Sequence, residues 1–231
     1  MPEPSYLCIP SYLYILDLDG TLIDSLDDLT ASVNVMRQEF ALPSIDRQAV
    51  RGMVGQGARN LVERALPGLS RQEVDEGLAI FLNHNEAHLF DRTRLYPEVV
   101  ETLAKLTGQG HTLALLSNKN EGLCRKLLAH FGIAEQFAAV MGGDSMASRK
   151  PSPEPVIRLM SVLSRRPAET VMVGDSINDI AAGRDAGVRT VGCSFGYGEP
   201  SELADATFII NSFSELLLMP VGKGENRPRC I

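Results

Sequence analysis

The sequence predicts a doubly wound α/β fold, in which a parallel sheet carries helices on both faces and a helical domain is inserted after the first strand. The apolar run at 12–18, interrupted only by Asp17, is typical of a strand buried on both faces. After residue 97, helical and strand patterns alternate, as parallel strands with crossover helices require. From 24 to 95 only helical patterns occur, which predicts an all-helical insert.

Composition places the chain among ordinary globular proteins, since its 231 residues are 44% hydrophobic and 22% charged. A net charge of −7 argues against nucleic acid and anionic membranes as partners. No apolar run approaches the roughly 18 residues of a membrane span, and no signal peptide is recognised. The cysteines are too dispersed for a metal site or a disulfide scaffold and are expected to be reduced thiols of a cytoplasmic protein: Cys8, Cys124, Cys193 and Cys230.

The insert begins with a predicted helix at 26–40, whose apolar residues recur at three- and four-residue steps. Ser25 can cap the start of this helix, and Leu42-Pro43 ends it. Three further helical patterns follow, with glycines between them: 50–54, 58–66 and 71–90.

The rest of the chain predicts a Rossmann-like core around the first strand. Further strands are predicted at 112–116, 137–141, 170–173, 188–191 and 207–210. Helices are predicted at 98–106, 121–131, 153–163, 177–186 and 214–219. The core therefore comprises 1–23 and 96–220, the insert 24–95, and a tail at 221–231 that is expected to be mobile.

Polar side chains follow several of the predicted strands at the points where they end. Asp17 and Asp19 end the first strand, Ser117 follows the strand at 112–116, and Asp175 and Asp179 follow the one at 170–173. Ligands of open α/β sheets bind beyond the carboxyl ends of the strands. If the strands are parallel neighbours, these side chains converge on one crevice, together with Lys150 from the loop before a helix.

These residue types suit the chemistry of a phosphoryl group. Asp17, Asp19 and Asp175, with main-chain and water oxygens, suit Mg²⁺. Lys150, Ser117 and the amides of the turn after Asp17 can neutralise the remaining phosphoryl charge. A carboxylate at the phosphorus can act as nucleophile through an aspartyl-phosphate, and Asp19 can protonate the leaving oxygen and then activate water.

The four sequence motifs resemble those of the haloacid-dehalogenase-like (HAD) superfamily of phosphohydrolases, with an insert where that family carries its helical cap. The motifs are Asp17-Leu18-Asp19-Gly20-Thr21, Ser117 after a strand, Lys150-Pro151, and Gly174-Asp175-Ser176-Ile177-Asn178-Asp179. The resemblance implies that Asp17 is the nucleophile and Asp19 the acid and base. It also implies that Ser117 and Lys150 bind phosphate and that Mg²⁺ is held by Asp17, Asp175 and the main-chain oxygen of Asp19.

The same resemblance implies supporting roles for residues beside these. Asp179 and Asn178 are expected behind the metal ligands, where Asp179 orients Lys150 or a metal-bound water. Substrate contacts are expected from Gly20, Thr21 and Asn118.

Within the superfamily, the sequence is most similar to the bacterial phosphoglycolate phosphatases, which implies 2-phosphoglycolate as the small phosphorylated substrate. A monomer or homodimer is expected. The stretches that carry this similarity are Val54-Gly55-Gln56-Gly57-Ala58, Ser117-Asn118-Lys119, Gly142-Gly143-Asp144, Lys150-Pro151-Ser152-Pro153 and Phe195-Gly196-Tyr197-Gly198. Ser117 departs from the threonine of many relatives, and either hydroxyl serves.

The glycines at 52, 55 and 57 have two interpretations. They are either simple helix breakers or part of a cap loop whose backbone approaches the active site. In the second case Gln56 and Arg59 are candidate contacts to a substrate carboxylate, although Arg59 is equally compatible with a solvated helix position.

Three other short motifs do not fit a histidine metal site, a dinucleotide site or a nucleophile elbow. His84 and His88 are four residues apart on a predicted helix, but no third metal ligand is apparent. Gly55-Gln56-Gly57 lacks the third glycine and the preceding strand of a dinucleotide site. Ser176 lacks the second glycine of a nucleophile elbow and is better placed as a helix cap.

The residues leave several functional alternatives open. A pyrophosphatase, a sugar phosphatase or a phosphomutase resembling β-phosphoglucomutase would use the same aspartates. A dehalogenase would attack carbon without Mg²⁺, and Asp19 and Asp175 count against it. A non-catalytic binding protein on the same scaffold would have no need of every catalytic side-chain type.

Overall fold

The computed structural model of the chain describes residues 11–219. The predicted mobile tail at 221–231, Cys8 and Cys230 lie outside the described residues. The described strands are β1 (Leu13–Leu16), β2 (Ile23–Asp24), β3 (Arg94–Leu95), β4 (Thr112–Leu116), β5 (Phe137–Met141), β6 (Thr170–Gly174), β7 (Arg189–Cys193) and β8 (Phe208–Ile210). The α-helices are α1 (Leu26–Glu39), α2 (Arg47–Arg51), α3 (Ala58–Ala65), α4 (Arg71–Ala87), α5 (Val99–Gly108), α6 (Glu121–His130), α7 (Glu154–Val162) and α8 (Ile177–Asp185).

The main sheet places β1 at its centre. Its strand order is β5-β4-β1-β6-β7-β8, and every pair is parallel. Leu16 pairs with Leu115 of β4 on one side and with Val173 of β6 on the other. Both faces of the sheet are covered by helices, so the predicted doubly wound α/β fold is confirmed.

Alternate residues of β1 enter two different hydrophobic clusters. Tyr14 and Leu16 pack with apolar residues of α5 and α6 on one face. Leu13 and Ile15 pack with residues of α7 and α8 on the other. Because all four residues are at most 1% exposed, the apolar run recognised in the sequence is that of a strand covered on both sides.

Helices α1 to α4 form the insert and have a hydrophobic cluster of their own, which includes Leu26, Met36, Leu61 and Phe81. The insert leaves and rejoins the core at the antiparallel pair β2 and β3. This two-stranded stem was not predicted, because two residues per strand are too few to show an alternating pattern. No helix within residues 11–219 is long and apolar enough to cross a membrane.

Three predicted helices differ from the observed ones. The pattern at 50–54 corresponds to α2, which begins earlier because the Asp46 side chain accepts a hydrogen bond from the Ala49 amide at 2.8 Å. The pattern at 71–90 ends at Ala87. The last predicted helix, at 214–219, is a 3₁₀ helix over Phe213–Leu218.

Candidate active site

The predicted site residues meet at the carboxyl edge of the main sheet. The Asp17 amide donates to the Val173 carbonyl at 2.9 Å, which continues the parallel pairing of β1 with β6. Ser117 follows β4 and Asp175 follows β6, so both lie beside Asp17 at the same edge. All three residues are buried.

Lys150 joins the acidic residues at this edge. Its ammonium lies 2.8 Å from Asp17 Oδ1 and donates hydrogen bonds to Asp179 Oδ1 at 2.6 Å and to the Leu116 carbonyl at 2.7 Å. Burial would lower the pKa of Lys150, but Asp17 and Asp179 outweigh it and raise that pKa above its usual value. Lys150 is therefore a fixed positive charge beside Asp17.

Asp175 is held from two sides. Its Oδ2 accepts the Tyr197 amide at 2.6 Å, and its Oδ1 accepts the Thr21 hydroxyl at 3.3 Å. Gly20, with a φ of +85°, lies so close that a Cβ there would be 2.1 Å from Asp175 Oδ2. Only glycine fits this position, because both the backbone conformation and the lack of space exclude a side chain.

The buried acidic cluster carries more negative charge than Lys150 compensates. One carboxylate oxygen from each of Asp17, Asp175 and Asp179 lies within 4.8 Å of the others. Burial raises the pKa of Asp17 to about 6, against the attraction of Lys150. Burial, and then repulsion from Asp179 and Asp17, raises the pKa of Asp175 well above its usual range. A hard divalent cation bound through oxygen would supply the missing positive charge, so these residues fit a magnesium site.

Hydrogen bonding distinguishes the oxygens that are free to bind a cation. Both oxygens of Asp179 are engaged, one by Lys150 and the other by the Ser176 amide and hydroxyl. Asp17 Oδ1 is buried and accepts no hydrogen bond of good geometry, although Lys150 lies beside it as an ion pair. The Asp19 carbonyl accepts no described backbone amide either.

Asp19 faces the same space and has two partners of its own. Its carboxylate accepts the Ser25 hydroxyl and forms an ion pair with Lys119 at 3.2 Å. The Lys119 side chain is only 9% exposed, so this pair is largely shielded from water. The ion pair holds Asp19 beside Asp17 in one orientation.

The turn after β1 uses most of its amides internally. The amide of Thr21 donates to the Leu18 carbonyl at 3.2 Å, and that of Gly20 to the Ile23 carbonyl at 2.8 Å. Gly20 and Thr21, predicted as substrate contacts, are therefore engaged in the turn and with Asp175. The Leu18 and Asp19 amides donate to no backbone carbonyl within the described chain, and the Leu18 amide faces the Asp17 carboxylate instead. The Asp19 amide is therefore the one open to an anion.

Asn118 and Asn178 both reach the insert. The Asn118 amide donates to the Gly55 carbonyl at 2.8 Å and to the Lys150 carbonyl at 2.8 Å. The Asn178 amide contacts the same Gly55 carbonyl at 3.5 Å. The loop between α2 and α3 therefore approaches the core through its backbone, which favours the second interpretation of its glycines. Ser117 has only the Lys119 amide as partner for its hydroxyl oxygen, at 3.3 Å, and keeps its proton to donate.

Arg51 ties the insert to the loop that follows β7. Its Nε donates to the Tyr197 carbonyl at 2.7 Å, and its Nη2 to the carbonyls of Gly196 and Gly198 at 3.2 and 3.4 Å. The Tyr197 hydroxyl accepts the Ser25 amide at 2.7 Å. Because the Tyr197 amide also binds Asp175, one short loop links the insert to a carboxylate of the site.

Arg51→Met is expected to lower the free energy of unfolding by about 1.5–3 kcal/mol, the usual range for hydrogen bonds with one charged partner. The substitution keeps an unbranched apolar side chain but removes the three carbonyl contacts. Urea unfolding measures the change. Arg158→Met is the matched control, because Arg158 is exposed and its side chain hydrogen-bonds no described residue. If the free energy of unfolding changed little and equally in both variants, the three hydrogen bonds of Arg51 would contribute nothing measurable to stability.

Two cavities adjoin the acidic cluster. The first lies between the insert and the core, where the core contributes Asp17, Asp19, Ser117 and Lys119. The insert contributes mostly apolar groups, with Asn85 of α4 as the exception. The second cavity reaches Asp19 and Asp175 from the other side of the α2–α3 loop and is lined by more polar groups.

The structure does not bring Arg59 into either cavity. Its side chain is 43% exposed and pairs with Asp75 of α4 at 2.6 Å. Arg59 therefore occupies the solvated helix position that was the alternative to a substrate contact. Gln56 lines the second cavity, and its side-chain oxygen accepts a hydrogen bond from Arg64 at 3.0 Å. His84 and His88 stack on each other at 4.2 Å, outside the single three-residue acidic group found in 11–219 that could hold a metal.

Three residues of the site were not singled out from the sequence. Lys119 and Tyr197 lie in stretches that carried the family resemblance, but no pattern showed which partners they would meet. Asn85 had a visible signal, since it follows Phe81 by four residues on the apolar face of α4, where a hydrophobic residue is expected.

The chain is similar to known proteins over almost its whole described length. A family model described as haloacid dehalogenase-like hydrolase matches residues 14–193, which include every predicted site residue. A phosphoglycolate phosphatase of Chromobacterium violaceum is 37% identical over 205 residues, covering 87% of this chain and 92% of that protein. One of Neisseria meningitidis is 40% identical over 210 residues, covering 87% and 89%.

A solved structure shows the same likeness. The crystal structure of a predicted phosphoglycolate phosphatase from Haemophilus somnus has a TM-score of 0.87 and 33% sequence identity with this chain. The likeness covers 91% of this chain and 98% of that one, so it includes both the sheet and the helical insert.

Proposed function

This chain belongs to the haloacid dehalogenase-like hydrolase family and is a phosphatase, and on that premise we propose that it hydrolyses 2-phosphoglycolate to glycolate and phosphate through an aspartyl-phosphate on Asp17. The resemblance predicted from its motifs is confirmed. One observation carries the proposal: Asp17 is a buried carboxylate beside Lys150, and it lines the cavity between core and insert. The relatives named above support the choice of substrate.

The proposed reaction has two steps. A carboxylate oxygen of Asp17 attacks phosphorus and the bond from phosphorus to the glycolate oxygen breaks, while Asp19 gives that oxygen a proton. In the second step Asp19 takes a proton from water as the water attacks phosphorus. The bond from phosphorus to Asp17 breaks, so Asp17 is a free carboxylate again and Asp19 carries a proton again, as it did before the first step.

Several groups of the core are placed to neutralise the phosphoryl oxygens during these steps. Lys150 lies beside Asp17, and the Ser117 hydroxyl and the Asp19 amide are free to donate. Such donors are effective because they are fixed in a site from which bulk water is largely excluded. Asp179 keeps the ammonium of Lys150 in place.

We assign the magnesium site to Asp17, Asp175 and the main-chain oxygen of Asp19, with Asp179 and Asn178 behind them. Asp17 Oδ1 and the Asp19 carbonyl accept no hydrogen bond of good geometry, and each Asp175 oxygen accepts a single one. Asp179, in contrast, is held by both Lys150 and Ser176. Bound Mg²⁺ would supply positive charge to the phosphoryl oxygens.

Removal of divalent cations by EDTA is expected to suppress turnover, and added Mg²⁺ to restore it. Mg²⁺ at about 100 times its Kd is also expected to stabilise the fold by about 2.7 kcal/mol, because it binds only the folded chain. Phosphate release and thermal unfolding measure the two effects. Asp175→Asn is expected to weaken the stabilisation, whereas Asp205→Asn, on the exposed surface, leaves it unchanged. Phosphate release that is insensitive to EDTA would contradict the proposed magnesium requirement.

The substrate is tested by phosphate release over a panel of small phosphomonoesters with Mg²⁺ present. The highest kcat/KM is expected with 2-phosphoglycolate. A preference for pyrophosphate or for a sugar phosphate would replace the proposed substrate and leave the phosphatase activity in place.

We further propose that residues 24–95 act as a cap that closes over a catalytic core formed by 1–23 and 96–220. The backbone contacts of Gly55 and the hydrogen bonds of Arg51 support a closed arrangement. The cytoplasmic location and the monomeric or homodimeric state stay predictions of the sequence.

A further inference from the structure

Asn85 is an amide at a core position of the helical cap. It lies on the face of α4 that also buries Val74 and Phe81, and it is only 3% exposed. A polar side chain at such a position costs free energy unless it has a hydrogen-bond partner.

No described residue hydrogen-bonds the Asn85 side chain, and this distinguishes it from the other buried polar side chains of the cap. Those side chains all have partners: Ser25, Asp28, Ser32, Arg37 and Thr93. Asp28 alone accepts four hydrogen bonds. The amide atoms of Asn85 are not among the unpaired side-chain atoms that are wholly buried, so they border the cavity and are available to a partner from outside the protein.

The cavity that Asn85 lines is the one that contains Asp17 and Asp19. Among the cap residues that line this cavity, Asn85 is the only one whose side chain can form a hydrogen bond. The others are apolar or glycine: Leu29, Val54, Gly55, Gly57, Ala58, Leu61, Phe81 and Leu82. A ligand between core and cap therefore meets a single amide in an otherwise apolar wall.

We propose that Asn85 donates its side-chain amide to the carboxylate of the substrate while the phosphoryl group lies at Asp17. This inference rests on the proposed function. A hydrogen bond to an ionised acceptor is stronger than one between neutral groups, and apolar walls strengthen it further by excluding water. Lys119 is the one ammonium group in the described lining of this cavity, and it adds favourable charge for an anion.

The same wall disfavours larger polar substrates. A sugar phosphate would bring several hydroxyl groups against apolar side chains such as Leu61 and Phe81, where they would find no partner. A short phosphomonoester with one anionic group at its far end matches one amide. The geometry therefore assigns Asn85 a role in substrate selection rather than in the bond-breaking steps.

Asn85→Leu tests this role, because leucine is close to asparagine in size and suits the apolar wall. The test compares 2-phosphoglycolate with ethyl phosphate, which has the same two-carbon chain but a methyl group in place of the carboxylate. We expect kcat/KM for 2-phosphoglycolate to fall about 10- to 100-fold, the loss of a hydrogen bond to a charged acceptor. We expect kcat/KM for ethyl phosphate to change less than about 3-fold, since that substrate makes no contact through a carboxylate.

Two further variants make the test specific. Asn83→Leu is the matched control, because Asn83 is exposed on the same helix, and it should leave both substrates unaffected. Asn85→Asp keeps the shape of the side chain but replaces the donor with a negative charge. It is expected to discriminate against 2-phosphoglycolate more strongly than Asn85→Leu does. Thermal unfolding confirms that each variant is folded.

The outcomes separate this inference from the proposed function. A wild-type enzyme that does not prefer 2-phosphoglycolate over ethyl phosphate overturns the proposed substrate, and the role of Asn85 falls with it. A wild-type preference that survives both substitutions at Asn85 overturns the role of Asn85 alone. Equal losses on the two substrates also overturn it, since they indicate a purely structural residue.

Discussion

Asp17→Asn is expected to lower turnover of 2-phosphoglycolate by on the order of 10⁴-fold or more, as the removal of a nucleophile does in other enzymes. An amide oxygen does not attack phosphorus to give a stable acyl phosphate. The substitution is nearly isosteric, and Lys150 keeps Asp179 and the Leu116 carbonyl as partners. We therefore expect the variant to be folded and inactive.

Phosphate release and thermal unfolding together measure this prediction. The free energy of unfolding should not fall, because the substitution removes one of the carboxylates whose burial and mutual repulsion raise the pKa of Asp17 and Asp175. Asp205→Asn makes the same chemical change at an exposed ion pair and should retain full activity. Appreciable phosphate release by a folded Asp17→Asn variant would refute the assignment of Asp17 as nucleophile.

Lys150→Met is expected to abolish activity and also to lower the free energy of unfolding by about 3–5 kcal/mol, the cost of breaking a buried ion pair by removing one partner. The Lys150 side chain is 2% exposed and that of Asp179 is not exposed at all. Without the ammonium, Asp17, Asp175 and Asp179 would be three neighbouring buried carboxylates with no cation among them.

Urea unfolding in the presence of EDTA isolates this effect, since bound Mg²⁺ would partly compensate the missing charge. Lys126→Met is the matched control. Lys126 pairs with Glu86 on the surface, and its side chain is 53% exposed. Exposed ion pairs contribute about 0–1 kcal/mol, so the control should be close to the wild type. Similar losses in the two variants would show that the buried pairing of Lys150 contributes little to stability.

The fold was predictable because both the apolar runs of its strands and the three- and four-residue steps of its helices are clear in the sequence. The apolar run of β1 and the alternation of strands and helices after residue 97 were enough to give the sheet. The parallel order then brought Asp17, Ser117 and Asp175 to one edge, as the rule for open α/β sheets requires. Lys150 joined them through a loop that the alternation alone did not position.

The cap was harder to predict in detail, because helical periodicity does not show which neighbour a side chain meets. Arg59 follows three glycines that suggested a substrate contact, yet on α3 it pairs with Asp75 at the surface. Asn85 lies within a helical pattern that is recognised from its apolar residues alone. Its lack of a partner appears only when α4 is packed against the core. Lys119 likewise acquires its role only from its distance to Asp19.

The contact that Asn118 makes with the cap ends on a backbone carbonyl, that of Gly55. Every amino acid has such a carbonyl, so the contact does not depend on the side chains that surround the substrate. We therefore expect mutations in the wall of the cavity to change which phosphoester is accepted without weakening this contact between insert and core. If the insert closes over the core as proposed, closure and substrate choice can diverge independently. A library confined to the cavity-facing residues of α3 and α4 is then expected to reach new substrates on an intact core.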